Sequence, residues 1–382
     1  MRRVKVEAVE SRVLGLALLM ATAAGWAWAA PAYTLEDDQS KHTLEVYGTL
    51  QWRYDANFSD NPAPAEGFAS GFQGERLRVG ARGEVLPGLG YEFEVDGAGG
   101  DLILVDGFVD FDLADGVRLR AGQFKQAFSR EFDVSPHRIT TTERSIVDRV
   151  FGLNRAEAVE LRLSDSSAAL RLTLSDGRRS QNTPFASVAE TDYLLIVRGE
   201  RAFGDTLRRF RDMTSWRGGE PAFMIGGALA YQQGGETFAN ISGRTPDRDL
   251  IAATADLSIE LDGATLFFAA HYRRSDDASR TFDDLGLVAQ GGLFVTNQVE
   301  LYARYEGIFG DTGRGDGHEI HFATGGVNWY VFPESHVLRI SFEVLTAIGG
   351  SSNSPAADAS RFALIESEDS QTAALVQAIL VF

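Results

Sequence analysis

Ala373-Ala374-Leu375-Val376-Gln377-Ala378-Ile379-Leu380-Val381-Phe382 is an apolar, strand-like run that ends flush on an aromatic residue. In a soluble protein such a strand would be a bare edge open to pairing with other chains; closing a barrel onto the first strand removes the edge. The opposite end carries Arg2, Arg3, Lys5 and Arg12, an apolar stretch from Val13 to Trp26, and the small-residue site Ala27-Trp28-Ala29. That order is the pattern of a cleavable export signal, so 1–29 is set apart from the fold. An exported chain with this terminal strand is expected to be a transmembrane antiparallel β-barrel of the bacterial outer membrane. Residues 30–40 are expected to be a short lead-in and 41–382 the barrel.

The composition narrows the alternatives. Beyond the signal no window holds the ~20 continuous apolar residues of a membrane-crossing helix, and mean hydropathy is −0.13. The whole chain carries a formal charge of −18, and loss of 1–29 removes four basic and two acidic side chains, making it more acidic still. This argues against nucleic acid as a partner. With no cysteine, disulfides and thiolate chemistry are excluded.

From Lys41 onward, runs of about ten residues alternate in polarity and are broken by Gly, Asp, Pro and Ser, the pattern of barrel strands. Strands are predicted at 41–55, 73–86, 89–98, 101–113, 116–125, 156–164, 168–175, 192–202, 221–233, 249–261, 264–275, 283–294, 297–308, 318–331, 336–347 and 373–382. That makes about sixteen, an even number as single-chain bacterial barrels have. Turn residues such as Pro87-Gly88, Asp115-Gly116 and Asp262-Gly263 alternate with longer stretches, which predicts short periplasmic turns and long external loops. The connection 203–220 breaks the rule: it should be a short turn, and it is long. Along 297–308, Val299, Leu301, Ala303 and Tyr305 share one face while Glu300, Tyr302, Arg304 and Glu306 share the other. Repeated over the chain, this implies a lipid-facing wall around a wet lumen.

Arginine is abundant and lysine occurs only at 5, 41 and 125. The alternation turns Arg76, Arg78, Arg82, Arg118 and Arg120 inward, with others on later strands. Guanidinium groups in such a ladder can pass an anion along by two-point contacts. Glu45, Glu84, Glu160, Glu300, Glu306 and Glu343 fall on the same face, so bracing of the wall by Arg–Glu networks stands as the other reading. The connection 126–155 is far longer than its neighbours and carries Arg130, His137, Arg138, Arg144, Arg149 and Arg155 beside Lys125. Connections of that length are commonly functional, and these cations are expected at a pore constriction. A lid over the barrel mouth is the alternative.

Gly122-Gln123-Phe124-Lys125-Gln126-Ala127-Phe128-Ser129-Arg130-Glu131, followed by Thr142-Glu143-Arg144-Ser145, resembles the stretch from the fifth strand into the constriction loop of the phosphate-selective porin O/P family. The resemblance implies a trimeric, sixteen-stranded passive diffusion channel whose fifth connection folds inward. The family's selective members are rich in channel lysines, and this chain offers Lys125 alone near the filter. The function expected is therefore an outer-membrane porin for small hydrophilic solutes with a phosphate-type anion preference. A non-conducting barrel serving as scaffold or adhesin is the alternative. Its surroundings would be outer-membrane lipid and lipopolysaccharide.

Signals for an enzyme are poor. His318 and His321 lie three apart on a predicted strand and so point to opposite faces. No phosphate-binding loop, nucleophile elbow or zinc motif occurs, so neither a cofactor, a metal nor a catalytic residue is expected.

Overall fold

A computed structural model describes residues 33–37, 42–59, 68–183, 191–234, 249–277, 280–315, 318–349, 364 and 371–382. The expected signal, 1–29, lies outside them. Seventeen strands form one antiparallel sheet. They are β1 (Tyr33–Asp37), β2 (His42–Ser59), β3 (Phe68–Leu86), β4 (Leu89–Asp96), β5 (Ile103–Ala114), β6 (Val117–Lys125), β7 (Arg155–Ser164), β8 (Ala168–Ser175) and β9 (Thr191–Phe203). After these come β10 (Ala222–Gly234), β11 (Leu250–Leu261), β12 (Ala264–Asp277), β13 (Arg280–Phe294), β14 (Val299–Phe309), β15 (Glu319–Tyr330), β16 (Leu338–Ile348) and β17 (Gln371–Val381).

Each of β2 to β17 pairs with its chain neighbour, and β17 pairs with β2 from Gln371↔Ser59 to Val381↔Thr49. The barrel is thus closed with sixteen strands, each matching one expected from the sequence. β2 begins before β17 ends, so its first residues would be left as an open edge. β1 fills that gap, pairing Tyr33↔Val46 to Asp37↔His42, and the lead-in therefore contains a strand that the sequence reading missed.

The side-chain pattern is the inverse of a soluble barrel. On β8, Leu170, Leu172 and Leu174 are exposed on the outer face while Arg171, Thr173 and Ser175 are buried on the inner one. β14 shows the expected split, with Glu300, Tyr302, Arg304 and Glu306 inward and Leu301 and Tyr305 outward. Only a lipid surround makes an apolar outer face favourable, and only a closed ladder satisfies the backbone there. No helix among the described residues is long and apolar enough to cross a membrane.

At one rim the connections are short, at 87–88, 115–116, 165–167, 262–263 and 295–298; Gly88 takes φ of +81°, which its turn requires. The exception at that rim is 204–221, to which we return below. The connection expected at 276–282 shrinks to 278–279, because β12 and β13 extend into it. The long connection runs 126–154; Arg155 belongs to β7. Within it are two short helices, α1 (Arg130–Asp133) and α2 (Ile146–Phe151).

Candidate functional site

The connection 126–154 lies inside the barrel, because it bonds to inward-facing side chains around the circumference. Arg198 of β9 donates to the Phe128 carbonyl, Arg130 to Ser258 of β11, and Arg273 of β12 to the Val150 carbonyl. Arg76 of β3 donates twice to Glu143, at 2.7 and 2.8 Å. Ile139 to Glu143 run extended and are threaded by the wall: Asn328 of β15 donates to Thr140 O, Arg304 of β14 to Thr141 Oγ1 and Glu143 O, Arg339 of β16 to Ile139 O, and Glu343 accepts from Thr142 N and Oγ1. Buried backbone groups need partners, and here wall side chains supply them.

An apolar seam completes the docking. Val134, Ile139, Ile146, Val147, Val150 and Phe151 pack on inward-facing Phe267, Val288, Ile308, Phe322, Leu345 and Leu375 of β12 to β17. Gly286 of β13 leaves the room: a Cβ there would lie 2.7 Å from both Phe151 and Val147. Here the inner face is apolar, not charged as the alternation led us to expect. Ser145 caps α2 by accepting from Asp148 N, and Glu131 accepts from Ser145 N and Oγ. The Ser-x-x-Asp spacing of Ser145 and Asp148 was the available signal for this helix. Burial, with the neighbouring Glu131, pushes the Asp148 carboxyl up to about 7.

The loop covers one side of the lumen and leaves the other wet. Inward residues of β10 to β17 are almost wholly buried. Those of β3 to β7 are graded: side-chain exposure falls from 51% at Arg82 and 47% at Arg118, near the short-turn rim, through 29% at Arg120 and 14% at Arg78, to 11% at Arg155. Solvent access along this wall thus tapers, funnel-like, from the short-turn rim toward Arg155.

At its narrow end three cations surround one ring. Lys125 Nζ, Arg144 and Arg155 lie 5.9, 4.7 and 5.7 Å from the centroid of Phe132. Ring faces attract cations, and each cation is also held by the backbone or a carboxylate. Lys125 donates to Asp133 O and Val134 O, Arg144 to the carbonyls of Glu131, Phe132 and Val134, and Arg155 in two-point fashion to Asp106. Asp133 is taken by Arg171. Burial, with Arg76 and Arg155 adding to it against Asp148, brings Arg144 down to about 10. Arg155 was expected among the cations of the long connection; it stands instead on the first residue of β7, which sets its place at the funnel neck.

The remaining expected residues divide by environment. Arg130 and Arg76 do not open on the funnel: the first is turned to Ser258 and the Asp212 carbonyl, the second to Glu143 and Gln51. Arg78 pairs with Glu94 and Asp96, Arg82 with Glu45, Arg118 with Asp112, and Arg120 with Asp110 while lying 3.7 Å over Phe108. Arg149 is half-buried on α2, where Arg179 donates to its carbonyl. His137 and Arg138 sit at the loop's tip, half-buried; Arg138 donates to His137, and among the described residues it meets no carboxylate. Burial first, then Arg138 and His336, holds His137 well below the ordinary histidine range.

His318 and His321 do point apart: His321 stacks on Tyr305 of the outer face, and His318 contacts Gly315 O. Among the described residues no group of His, Cys, Asp and Glu is arranged to hold a metal ion.

Residues 44–198 match the family model described as phosphate-selective porin O and P. No curated protein matches the chain. Among solved structures, an anion-selective porin from Comamonas acidovorans superposes with a TM-score of 0.63 at 10% identity, covering 89% of this chain and 100% of that one. OmpT of Vibrio cholerae gives 0.60 at 14%, covering 91% and 100%, and OmpF of Salmonella typhi, solved with daunomycin, 0.59 at 12%, covering 91% and 100%. Residues 44–198 are thus similar to the phosphate-selective porin O and P family, and they are carried on a closed sixteen-stranded barrel, the fold that the chain shares with these outer-membrane porins.

Proposed function

We propose that this barrel is a passive diffusion channel of the bacterial outer membrane, preferring small hydrophilic anions of the phosphate type. The observation that carries the reading is the funnel neck, where Lys125, Arg144 and Arg155 converge on Phe132. Arg82, Arg118 and Arg120 approach it from the wide end. Lys125 and Arg144 are held by carbonyls, whereas Arg82, Arg118, Arg120 and Arg155 are paired with carboxylates, so the positive field is concentrated at the neck. A field of one sign inside low-dielectric walls concentrates ions of the other sign even when the molecule as a whole is acidic. The name of the matching family and the anion selectivity of the Comamonas porin agree with this direction.

A trimer is the expected assembly, in keeping with the trimer form of the Vibrio OmpT, which shares the fold. The match to a porin family and the shared porin fold favour a transport role over catalysis. The deciding experiment is the reversal potential of purified protein in a planar bilayer under a chloride gradient, followed by phosphate titration. Steady current with anion preference and block by phosphate supports the reading. The apolar seam that fills the β12 to β17 side favours a second one, a barrel closed by its own loop; absence of any conductance would select it.

A further inference from the structure

The connection 204–221 joins β9 to β10 at the rim where the other turns are two to seven residues long, and it folds into the barrel from below. Met213 N donates to the Arg138 carbonyl at 2.9 Å, and Thr140 Oγ1 donates to the Met213 carbonyl at 2.8 Å. Arg130 reaches the Asp212 carbonyl, and Met213 joins the apolar seam. Trp216 is wedged among Phe294, Tyr330 and His336. Phe210 packs on Ala202, Ala222 and Met224 of the two flanking strands. The tip of the inner loop is therefore held by a second loop coming from the opposite rim.

That second loop also brings charge. Arg208 and Arg211 are exposed, and among the described residues neither meets a carboxylate. Burial, and after it the positive charges of Arg208, Arg138, Arg82 and Arg118, lowers the proton affinity of Arg211. Arg208 and Arg211 share this rim with Arg82 and Arg118, which are about half-exposed beside the short turns 87–88 and 115–116. Arg208, though not Arg211, also lines a cavity of about 550 Å3 beside the loop, in whose walls Asp205, Asp212, Glu260 and Glu334 outnumber Arg208, Arg209 and Arg217.

We infer that 204–221 is the second half of the filter: it fixes Arg138 through the main chain and adds Arg208 and Arg211 as an anion station at the short-turn mouth. The inference rests on the channel reading above and locates where an anion is first met from that side. It makes the two mouths unequal, since the station is built at one rim only.

The test is ion selectivity and side-dependent phosphate block in planar bilayers, comparing the wild-type protein with Arg208→Gln/Arg211→Gln and with Arg138→Gln. The inference expects the double variant to lose at least half of the wild-type anion preference. It also expects phosphate added at the short-turn mouth to block several-fold less well, with block from the other side unchanged. Either single variant serves if the double variant does not assemble, each with a smaller change in the same direction. A double variant with the wild-type permeability ratio, while Arg138→Gln shifts it, overturns the assignment to 204–221. A wild-type channel without anion preference overturns the reading beneath it instead.

Discussion

Arg76 and Glu143 face each other through two hydrogen bonds of 2.7 and 2.8 Å, joining β3 to the inner loop across 67 positions of sequence. Glu143 also lies 3.8 Å from Arg53, so one carboxylate serves two buried guanidinium groups. Removing it takes from Arg76 its carboxylate partner, while Arg53 keeps Asp55 and Glu75. Loss of one partner of a buried pair costs about 3–5 kcal/mol. Glu143→Ala is accordingly expected to loosen the loop: heat-modified mobility on gels should shift at a lower temperature, and single-channel current should become noisier. Unchanged values in both would show that the pair does not hold the loop.

Gly286→Val addresses the same docking from the apolar side. The new side chain would occupy the space of Phe151 and Val147, and overpacking of this kind costs about 1–3 kcal/mol. The strand pairing of β13 with β12 and β14 does not depend on it. The expected outcome is an intact β spectrum with a larger or flickering conductance. A variant with wild-type current would mean that α2 tolerates the displacement.

Arg118, Arg162, Arg171 and Arg198 stand in direct cross-strand register on β6 to β9. Like charges placed this way repel, by roughly 0.2–1 kcal/mol per pair. Three of the four are relieved by Asp112, Asp133, Glu200 or Asp256, whereas Arg162 has no carboxylate partner among the described residues. Arg162→Gln should therefore raise thermal stability slightly while lowering the anion to cation permeability ratio. Stability and selectivity falling together would contradict this.

His137 and His336 meet at 6.5 Å between ring centroids where the inner loop touches the turn 331–337. Both are held below the ordinary value of 6.5, by burial first; Arg138 and Arg339 reinforce it in each, and Asp212 opposes it at His336. The unfolded chain then binds more protons than the folded one below pH 6.5, so the junction's stability is present above that pH and is lost as pH falls through the folded values. Acidification below about 6 should increase channel noise, and His137→Gln/His336→Gln should flatten that dependence. Noise with the same pH profile in the double variant would remove these rings as its cause.

The strands were legible because an outer wall in lipid imposes apolar residues at every second position, and because Pro87-Gly88 or Asp262-Gly263 can do little except turn. The long connection stood out by length, and its Gly122–Glu131 stretch pointed to the family. Side-chain partners were not legible: nothing local to Arg130 says that it meets Ser258, 128 positions away. The apolar inner patch on β12 to β17 was hidden because segments such as Ala264-Thr265-Leu266-Phe267-Phe268-Ala269 are apolar on both faces, which alternation cannot divide. The connection 204–221 was noticed as too long for a turn, but its inward course depends on Trp216, Tyr330 and His336 meeting, a contact between distant segments.

The threading of Ile139 to Glu143 by β14 to β16 also constrains the order of assembly. Thr142 and its partner Glu343 are 201 positions apart, so the inner loop's final contacts do not exist until nearly the whole chain has been made and the wall has come round. Contacts of such separation form late. The loop is therefore expected to reach its seat only as the wall comes round.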